Sequence, residues 1–335
     1  MKTLYKKLII TSAFLLALSA GFPVLIPEAG AIGSGTVDIS LNVSPQYPSA
    51  GENFTVKAKS FTFDPMRAKF QWQLNGKLEA SGVGLTEHVF TASKLGSQMT
   101  IKTVATLNNG ASYQALLTVN IADIDLIVRP LTYTPLFYRG SSFASPGSSV
   151  EIYAVPHLFS GNTRIAANNL IYEWSVDGRK STSLSGEGKS KFILTMADAG
   201  NISHDVALKV SSVGGSVSMQ KNIRARTESP QILFYEINTL TGRSNLARSS
   251  YTIQAGGGLS VLAEPYYFDI ASMSRAVISW SANGAIIEPT AENPRILEIV
   301  APENSYSTTA FGFSVENKKT IYQRAAGALT ITAIE

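Results

Sequence analysis

The sequence predicts an all-β protein of three similar sandwich domains, and three observations carry this prediction. A short pattern centred on tryptophan occurs three times, and it contains the three tryptophans of the chain. Each tryptophan lies among alternating apolar and polar residues, as in a strand with one buried face. Each is followed by Asn-Gly or Asp-Gly, which favours a tight turn. The copies are FQWQLNG at 70–76, YEWSVDG at 172–178 and ISWSANG at 278–284.

Length and composition support several packed domains rather than a disordered chain. The 335 residues are 44% hydrophobic and 16% charged, enough for two or three domains with real cores. The net charge of +4 becomes +2 without residues 1–31, which carry three lysines and one glutamate. This weak charge gives no reason to expect a nucleic-acid partner. Because cysteine is absent, disulfides, cysteine-ligated metals and cysteine nucleophiles are excluded.

Residues 1–31 have the parts of a secretory signal peptide. Lysines open the segment, an apolar run follows at 8–18, and Ala-Gly-Ala at 29–31 offers a cleavage site. The alternative is a retained membrane anchor, although a glycine and two prolines interrupt the apolar stretch. An exported chain without cysteine fits a bacterial envelope or secreted protein. We therefore predict contact with a membrane only through this segment, if it is uncleaved.

A second repeated element precedes each tryptophan. A glycine turn leads into a strand with apolar residues at every second position, an alanine follows the glycine by seven residues, and a phenylalanine follows the alanine by five. Period-two apolar residues indicate a strand facing a core, so we predict that these positions pack with the tryptophans. They are Gly51, Gly147 and Gly256; Ala58, Ala154 and Ala263; and Phe63, Phe159 and Phe268.

The spacing of the copies indicates the size of each domain. Successive tryptophans are 102 and 106 residues apart, and alternating segments separated by polar turns follow each one. This spacing is typical of a sandwich of about 100 residues with about seven strands. We predict domains at 37–124, 127–227 and 230–335, with joints near 122–128 and 226–231.

The Trp-x-x-(Asn/Asp)-Gly strand, preceded by a glycine turn and a period-two strand, resembles bacterial Ig-like and PKD-like modules. The resemblance covers about residues 37–335, three times over. PKD modules usually carry Trp-(Asp/Asn)-Phe-Gly-Asp-Gly, and the three copies here lack one glycine–acidic residue pair of that motif. The cysteine pair of Ig domains is also absent. The resemblance implies tandem Ig-like (PKD-like) β-sandwich domains that are extracellular, non-catalytic, and used as spacers or for adhesion.

Trp72, Trp174 and Trp280 are predicted to be structural. A buried tryptophan removes about 150–250 Å² from water, and its truncation to alanine costs about 3–5 kcal/mol. An exposed tryptophan could instead stack on a sugar, but three at equivalent strand positions favour three cores.

An aromatic run follows each joint: Thr132 to Tyr138 after the first, with Tyr133, Phe137 and Tyr138, and Ile232 to Tyr235 after the second. Tyr133, Phe137 and Tyr138, together with Tyr266 and Tyr267 of the third repeat, are the candidates for a ligand-stacking surface. Their rings could form a platform for carbohydrate. The alternative for both runs is a first strand that packs on its own core or on the preceding domain.

No pattern indicates catalysis, a cofactor or a metal. His88, His157 and His204 fall one in each repeat, at positions that are not equivalent, whereas a catalytic or metal site gathers several such groups. Asp123 and Asp125 are the nearest to a calcium pair, but calcium takes about six to eight oxygens. We therefore predict that the protein is not an enzyme and has no cofactor.

The sequence predicts an exported, non-catalytic cell-surface or extracellular protein for adhesion or spacing, with a protein or glycan partner. Two alternatives stay open. One is a carbohydrate- or cell-wall-binding module that uses the aromatic runs. The other is a subunit of a surface filament or layer, since the edge strands of sandwiches can pair between chains.

Overall fold

The computed structural model describes residues 38–303, 306–318 and 320–335, and these are almost entirely β-structure. The predicted signal peptide lies outside the described residues. Helical structure in the described ranges is limited to a 3-10 turn at Ala167–Asn169 and a short helix, α1, at Ile270–Met273. Within the described residues, no helix has the length and apolar character needed to cross a membrane.

The first sandwich has one sheet of three strands and one of four. Its sheet orders are β1-β2-β5 and β4-β3-β6-β7, and all neighbours are antiparallel. Strand β3 carries Trp72 in the middle of the larger sheet. The strands are β1 (Ser40–Ser44), β2 (Asn53–Lys59), β3 (Lys69–Leu74), β4 (Lys77–Val83), β5 (Glu87–Thr91), β6 (Gln98–Thr106) and β7 (Ser112–Asn120).

The second sandwich repeats this plan with additional short strands. They are β8 (Asp123–Pro130), β9 (Ser149–His157), β10 (Phe159–Ser160), β11 (Thr163–Arg164), β12 (Leu170–Val176), β13 (Arg179–Lys180), β14 (Gly186–Glu187), β15 (Lys191–Thr195), β16 (Ser203–Ser212) and β17 (Ser218–Arg226). The sheet orders are β15-β9-β8 and β13-β12-β16-β17, with β14 also paired to β12. Strands β10 and β11 form a separate hairpin.

The third sandwich has a four-stranded and a five-stranded sheet. Its strands are β18 (Gln231–Asn238), β19 (Gly242–Ala247), β20 (Ser250–Gln254), β21 (Gly258–Tyr266), β22 (Val277–Ala282), β23 (Ala285–Ile287), β24 (Ile296–Val300), β25 (Ser307–Glu316) and β26 (Arg324–Ile334). The orders are β19-β18-β21-β24 and β20-β26-β25-β22-β23. Strand β20 runs parallel to β26.

The architecture confirms the predicted all-β fold of three tandem Ig-like sandwiches. Each sandwich encloses its own apolar core. Trp72, Trp174 and Trp280 lie in these cores and are at most 1% exposed. Each indole N–H donates a hydrogen bond to a main-chain carbonyl, so the ring fills the core while its polar edge is satisfied. The acceptors are Leu85, Lys189 and Pro294, at 2.9, 2.9 and 3.0 Å.

The turn residue after each tryptophan holds the core hairpin in place. Asn75, Asp177 and Asn283 have φ values of 51°, 50° and 48°, a region that Asn and Asp adopt more readily than most residues. Each side-chain oxygen also accepts a hydrogen bond from a main-chain N–H of the neighbouring strand. The donors are Thr100, Asp205 and Ala310, at 2.9, 2.9 and 3.1 Å. A short polar side chain at this turn thus secures two strands.

The predicted first joint is a strand rather than a linker. β8 pairs with β9 along its whole length, and Ile124 is buried in the second core. The predicted domain limits at 124 and 127 therefore fall inside β8, and the connection after β7 is residues 121–122. This segment belongs to the second sandwich because its residues Ile124 and Leu126 pack in the second core. The second connection, between β17 and β18, is residues 227–230.

Candidate functional site: the junction of the second and third sandwiches

The loop at 131–148, between β8 and β9, reaches from the second sandwich onto the third. The N–H of Tyr133 donates to the carbonyl of Phe268 at 2.6 Å, and the N–H of Tyr267 donates to the carbonyl of Tyr133 at 2.7 Å. A third main-chain bond joins Ile270 to Leu131 at 3.1 Å. The two sandwiches therefore share main-chain pairing as well as side-chain contacts. We call this region the second junction.

Aromatic rings from both sandwiches form the apolar part of the second junction. Tyr235, Tyr266 and Tyr267 are buried, and Phe137 and Tyr138 of the 131–148 loop pack against them. The hydroxyls of Tyr138 and Tyr267 are 3.0 Å apart, and those of Tyr235 and Tyr266 are 2.6 Å apart. Burial raises the pKa of Tyr266 and of Tyr267 above the ordinary value. These hydroxyls thus remain protonated and serve as hydrogen-bond partners.

A guanidinium group adds to this cluster. Arg243, on β19, places its Cζ 3.4 Å from the ring centroid of Phe137 and 5.2 Å from that of Tyr235. A cation over an aromatic face is attracted by the negative charge density of the ring. Arg243 therefore helps to fix the loop of the second sandwich on the sheet of the third.

A buried carboxylate with two partners lies beside the aromatic rings. The carboxylate of Glu264 accepts from Arg295 Nη1 at 2.9 Å and from the Tyr133 hydroxyl at 3.2 Å. Glu264 is buried, and burial raises the pKa of its carboxyl group while Arg295 opposes the rise. Burial also raises the pKa of Tyr133. A buried carboxylate requires such partners, so the position of Tyr133 is tied to the third sandwich.

The side chain of Gln323 makes buried polar contacts between the two sandwiches. Its side chain is 1% exposed, and its amide nitrogen donates to the Ser145 hydroxyl and the Pro146 carbonyl, both at 2.6 Å. Its amide oxygen accepts from the N–H of Asp269 at 2.8 Å. One side chain therefore connects the 131–148 loop with two loops of the third sandwich.

The first junction, between the first and second sandwiches, is smaller. Tyr47 packs against the second core, and the Asn120 side chain donates to the Ser216 carbonyl at 3.2 Å. Gly96 has φ +82°, and a Cβ there would lie 3.1 Å from the ring of Phe159. Gly96, Asn120 and Phe159 line a cavity of about 70 Å³.

The five residues named as a ligand-stacking surface all lie in the second junction, where rings and hydroxyls of the same chain contact them. The sequence interpretation placed Tyr235 in the aromatic run 232–235 and did not identify Glu264, Arg295 or Gln323. Glu264 offered the clearest signal, because a carboxylate within the apolar strand β21 needs a partner.

The repeated core positions have different surroundings. Ala58, Ala154, Ala263 and Phe268 are buried. Phe63 is half-buried, and its ring stacks on that of Tyr113 with centroids 5.0 Å apart. Phe159 lies at the first junction, as described above. The same sequence position thus serves a core in one repeat and a junction in another.

The titratable groups named from the sequence take part in local contacts. His157 Nε2 lies 2.9 Å from Asp125 Oδ2, and His204 Nδ1 lies 2.6 Å from Asp177 Oδ2. His88 packs edge-on against Phe90, and Lys221 donates to Asp123 at 3.1 Å. In the described part of the chain, no group of three or more His, Asp or Glu could hold a metal ion.

Comparisons with known proteins find structural likeness only. No protein-family model matches the chain, and no curated protein matches it. The fibronectin(III)-like modules of Clostridium thermocellum CbhA are 15% identical, with a TM-score of 0.27, over 57% of this chain and 94% of their own. The three N-terminal domains of the bacteriophage RB49 Highly Immunogenic Outer Capsid protein are 14% identical, with a TM-score of 0.26, over 88% and 98%.

The central fibronectin-III array of RIM-binding protein is 11% identical, with a TM-score of 0.31, over 91% of this chain and 100% of its own. At scores and identities this low, the likeness carries no argument about function. The Ig-like assignment rests on the sheets and cores of this chain.

Proposed function

We propose that this chain is an exported, non-catalytic structural and interaction protein of a bacterial surface, in which the second and third sandwiches act as one rigid arm. The second junction carries this proposal. Domains joined by small polar interfaces move relative to one another. Here shared main-chain bonds, an aromatic cluster and the buried side chains of Glu264 and Gln323 oppose such movement. A rigid arm is suited to holding a protein or glycan partner at a set distance.

The export part of the proposal is supported by the signal-peptide pattern of residues 1–31. The non-catalytic part is supported by the local roles of the histidines and carboxylates, which serve turns, strands and junctions. Expression of the full chain in a bacterial host tests export. We expect the extracellular product to begin at Ile32, whereas a product that keeps residue 1 and sediments with membranes would contradict cleavage.

Rigidity can be measured with spin labels, because the chain has no cysteine and introduced thiols would be unique. The exposed positions Asn222 and Thr252 lie on the second and third sandwiches, and the exposed position Gln114 lies on the first. We expect a narrow distance distribution for the pair Asn222→Cys and Thr252→Cys, and a broader one for Gln114→Cys and Asn222→Cys. Equal widths for the two pairs would contradict the proposal.

A further inference from the structure

The first and last described strands of each sandwich belong to different sheets and contact each other along one side of the sandwich. In the second sandwich an ion pair crosses this contact, because Lys221 Nζ of β17 lies 3.1 Å from Asp123 Oδ1 of β8. The strand register relates Lys221 to the core tryptophan, since Trp174 pairs with Leu208 and Leu208 pairs with Lys221. A long side chain therefore ties the two strand edges of the second sandwich together.

The third sandwich has a glycine at the equivalent position, because Trp280 pairs with Phe313 and Phe313 pairs with Gly327. A Cβ on Gly327 would lie 2.8 Å from the Phe234 ring of β18, so a side chain here would displace the ring. In place of an ion pair, a cavity of about 260 Å³ lies beside the two strands. We call it the β18–β26 groove, and it is lined by residues 232–234, 247–249 and 327–328.

One edge of β26 is only partly covered. Strand β20 pairs with β26 from Thr330 to Ile334, and the earlier part of that edge has no strand beside it in the described chain. The N–H of Thr330 donates to the Ser249 carbonyl at 2.9 Å, so the even-numbered residues of β26 direct their main-chain groups toward this edge. Ala326 and Ala328 therefore direct N–H and C=O groups along the groove, where no described residue is hydrogen-bonded to them.

Strand β18 supplies a second row of such groups. Its pairing with β19 begins at Tyr235, and the Phe234 carbonyl accepts from the N–H of Arg248 at 2.9 Å. By the same alternation, the N–H and C=O of Ile232 point toward the groove, and nothing in the described chain is bonded to them. The floor between the two rows is apolar, because Ile232 and Phe234 are 8% and 3% exposed. Phe234 therefore offers no open ring face on which a sugar could stack.

The charge in the groove adds a preference for one kind of side chain. Among the described residues that line it, Arg248 is the one with a charge, and it is exposed. Carboxylates lie near the groove rather than in it: Glu236 lies with Arg248 near the Tyr251 hydroxyl, and Glu316 pairs in register with Arg324 at the start of β26. The lining itself therefore favours a carboxylate, which a guanidinium group binds through charge-assisted hydrogen bonds.

We infer that the β18–β26 groove binds an extended peptide segment of a partner protein, which adds to the edge of β26 as a short strand and places a carboxylate on Arg248. Unpaired main-chain groups at every second residue are the template that an added strand uses. The inference rests on the interaction role in the proposed function and names the class of partner. Its failure would leave the export of the chain and the narrow Asn222–Thr252 label distance unchanged, so the two can be judged separately.

The probe is a displayed library of random octapeptides, which is selected on the exported full chain. The affinity of the selected peptides is then measured by fluorescence anisotropy. We expect sequences that contain Asp or Glu and lack a central proline, because proline cannot donate a hydrogen bond to a neighbouring strand. A selection that yields no binder, or binders without Asp and Glu, would overturn the inference.

Two pairs of variants locate the binding site. Ala328→Pro removes an N–H that faces the groove and spares the pairing with β25, so peptides should bind about tenfold more weakly. Ala328→Ser keeps this N–H and should bind like the parent. Arg248→Gln should weaken binding about threefold, whereas Arg275→Gln, which changes another exposed arginine of the same sandwich, should leave it unchanged.

Equal peptide affinities in Arg248→Gln and Arg275→Gln would overturn the inference, and this pair decides the matter even if the proline variant does not fold. Equal affinities in folded Ala328→Pro and Ala328→Ser would also overturn it. Sedimentation of the parent protein is the remaining check. Self-association that Ala328→Pro abolishes would place a second copy of the chain in the groove and would contradict a partner peptide.

Discussion

The two junctions are built from equivalent loops, yet they differ in what they bury. The first junction rests on Tyr47, the Gly96–Phe159 contact and one hydrogen bond from Asn120. The second adds shared main-chain pairing, an aromatic cluster and a buried carboxylate. The first loop covers 45–52, whereas the second covers 131–148 and can extend over the neighbouring sheet. Loop length between the first two strands therefore distinguishes a small contact from an extensive one in this chain.

Polar burial adds a second difference. At the second junction, Glu264 and Gln323 need partners on the opposite sandwich. A misaligned pair of sandwiches would remove the Tyr133 hydroxyl from Glu264, which keeps Arg295 of its own sandwich. It would also leave the amide nitrogen of Gln323 unsatisfied, at a cost of about 1–3 kcal/mol. The second junction therefore fixes an orientation as well as an association.

Among the variants that test the difference between the two junctions, Arg295→Ala should cause the largest loss of stability. Arg295→Ala leaves the Glu264 carboxylate buried without its cation, and we expect a loss of about 3 kcal/mol in the free energy of unfolding. Denaturant unfolding measures this loss. Arg67→Ala, which breaks the exposed pair with Asp64, is the control and should cost less than about 1 kcal/mol. Equal losses in the two variants would contradict a stabilising role for the Arg295–Glu264 pair at the second junction.

Gln323→Ala should have the next largest effect. It leaves the buried Ser145 hydroxyl, the Pro146 carbonyl and the Asp269 N–H without this partner, at a cost of about 1–3 kcal/mol. The label distance between the second and third sandwiches should broaden as well. Gln98→Ala, which removes an exposed side-chain bond to Asn120, should change stability by less than about 0.5 kcal/mol. An unchanged label distance in Gln323→Ala would contradict the role of this residue.

Gly96→Ala tests the first junction. The substitution introduces backbone strain at φ +82° and a contact with Phe159, and we expect a loss of about 1–2 kcal/mol. Gly110→Ala is the matched control, because its φ is +84° and nothing lies within 4 Å of its Cβ position. The difference between the two melting temperatures measures the contact itself. A larger loss for Gly110→Ala would mean that Gly96 and Phe159 are not closely packed.

Acid should affect the second sandwich and the second junction in opposite directions. Hydrogen bonds from Lys191 and then Tyr153 lower the pKa of Glu151, on the outer face of the second sandwich, from 4.5 to about 2. The stabilisation from Glu151 is present above pH 4.5 and is lost as the pH falls toward about 2. Burial raises the pKa of Glu264 above 4.5, so its contribution grows as the pH falls toward 4.5.

Thermal unfolding of Glu151→Gln and Glu264→Gln between neutral and acid pH checks these signs. Glu151→Gln should flatten the loss of stability below pH 4.5. Glu264→Gln should remove the gain in stability that the parent protein shows as the pH falls toward 4.5. A parent-like pH profile in both variants would contradict the assignment.

Local patterns were sufficient to predict the three sandwiches. Tryptophan at the centre of an alternating strand, with a turn dipeptide after it, depends on neighbours that are close in sequence. The second junction depends on partners far apart in sequence, such as Tyr133 with Glu264 and Ser145 with Gln323. No local pattern pairs such residues, so the aromatic run could be noticed but its neighbours could not. Strand β8 was not predicted for the same reason. Its pairing partner β9 begins only at Ser149, so no pattern close in sequence indicates the pairing.

The unequal junctions have a mechanical consequence. If the chain is pulled by its two ends, tension reaches both junctions in series, and the weaker contact yields first. The Asn120–Ser216 bond and the Gly96–Phe159 contact are then expected to separate while the main-chain bonds of Tyr133 still hold. Extension at the first junction would lengthen the string while all three cores remain folded.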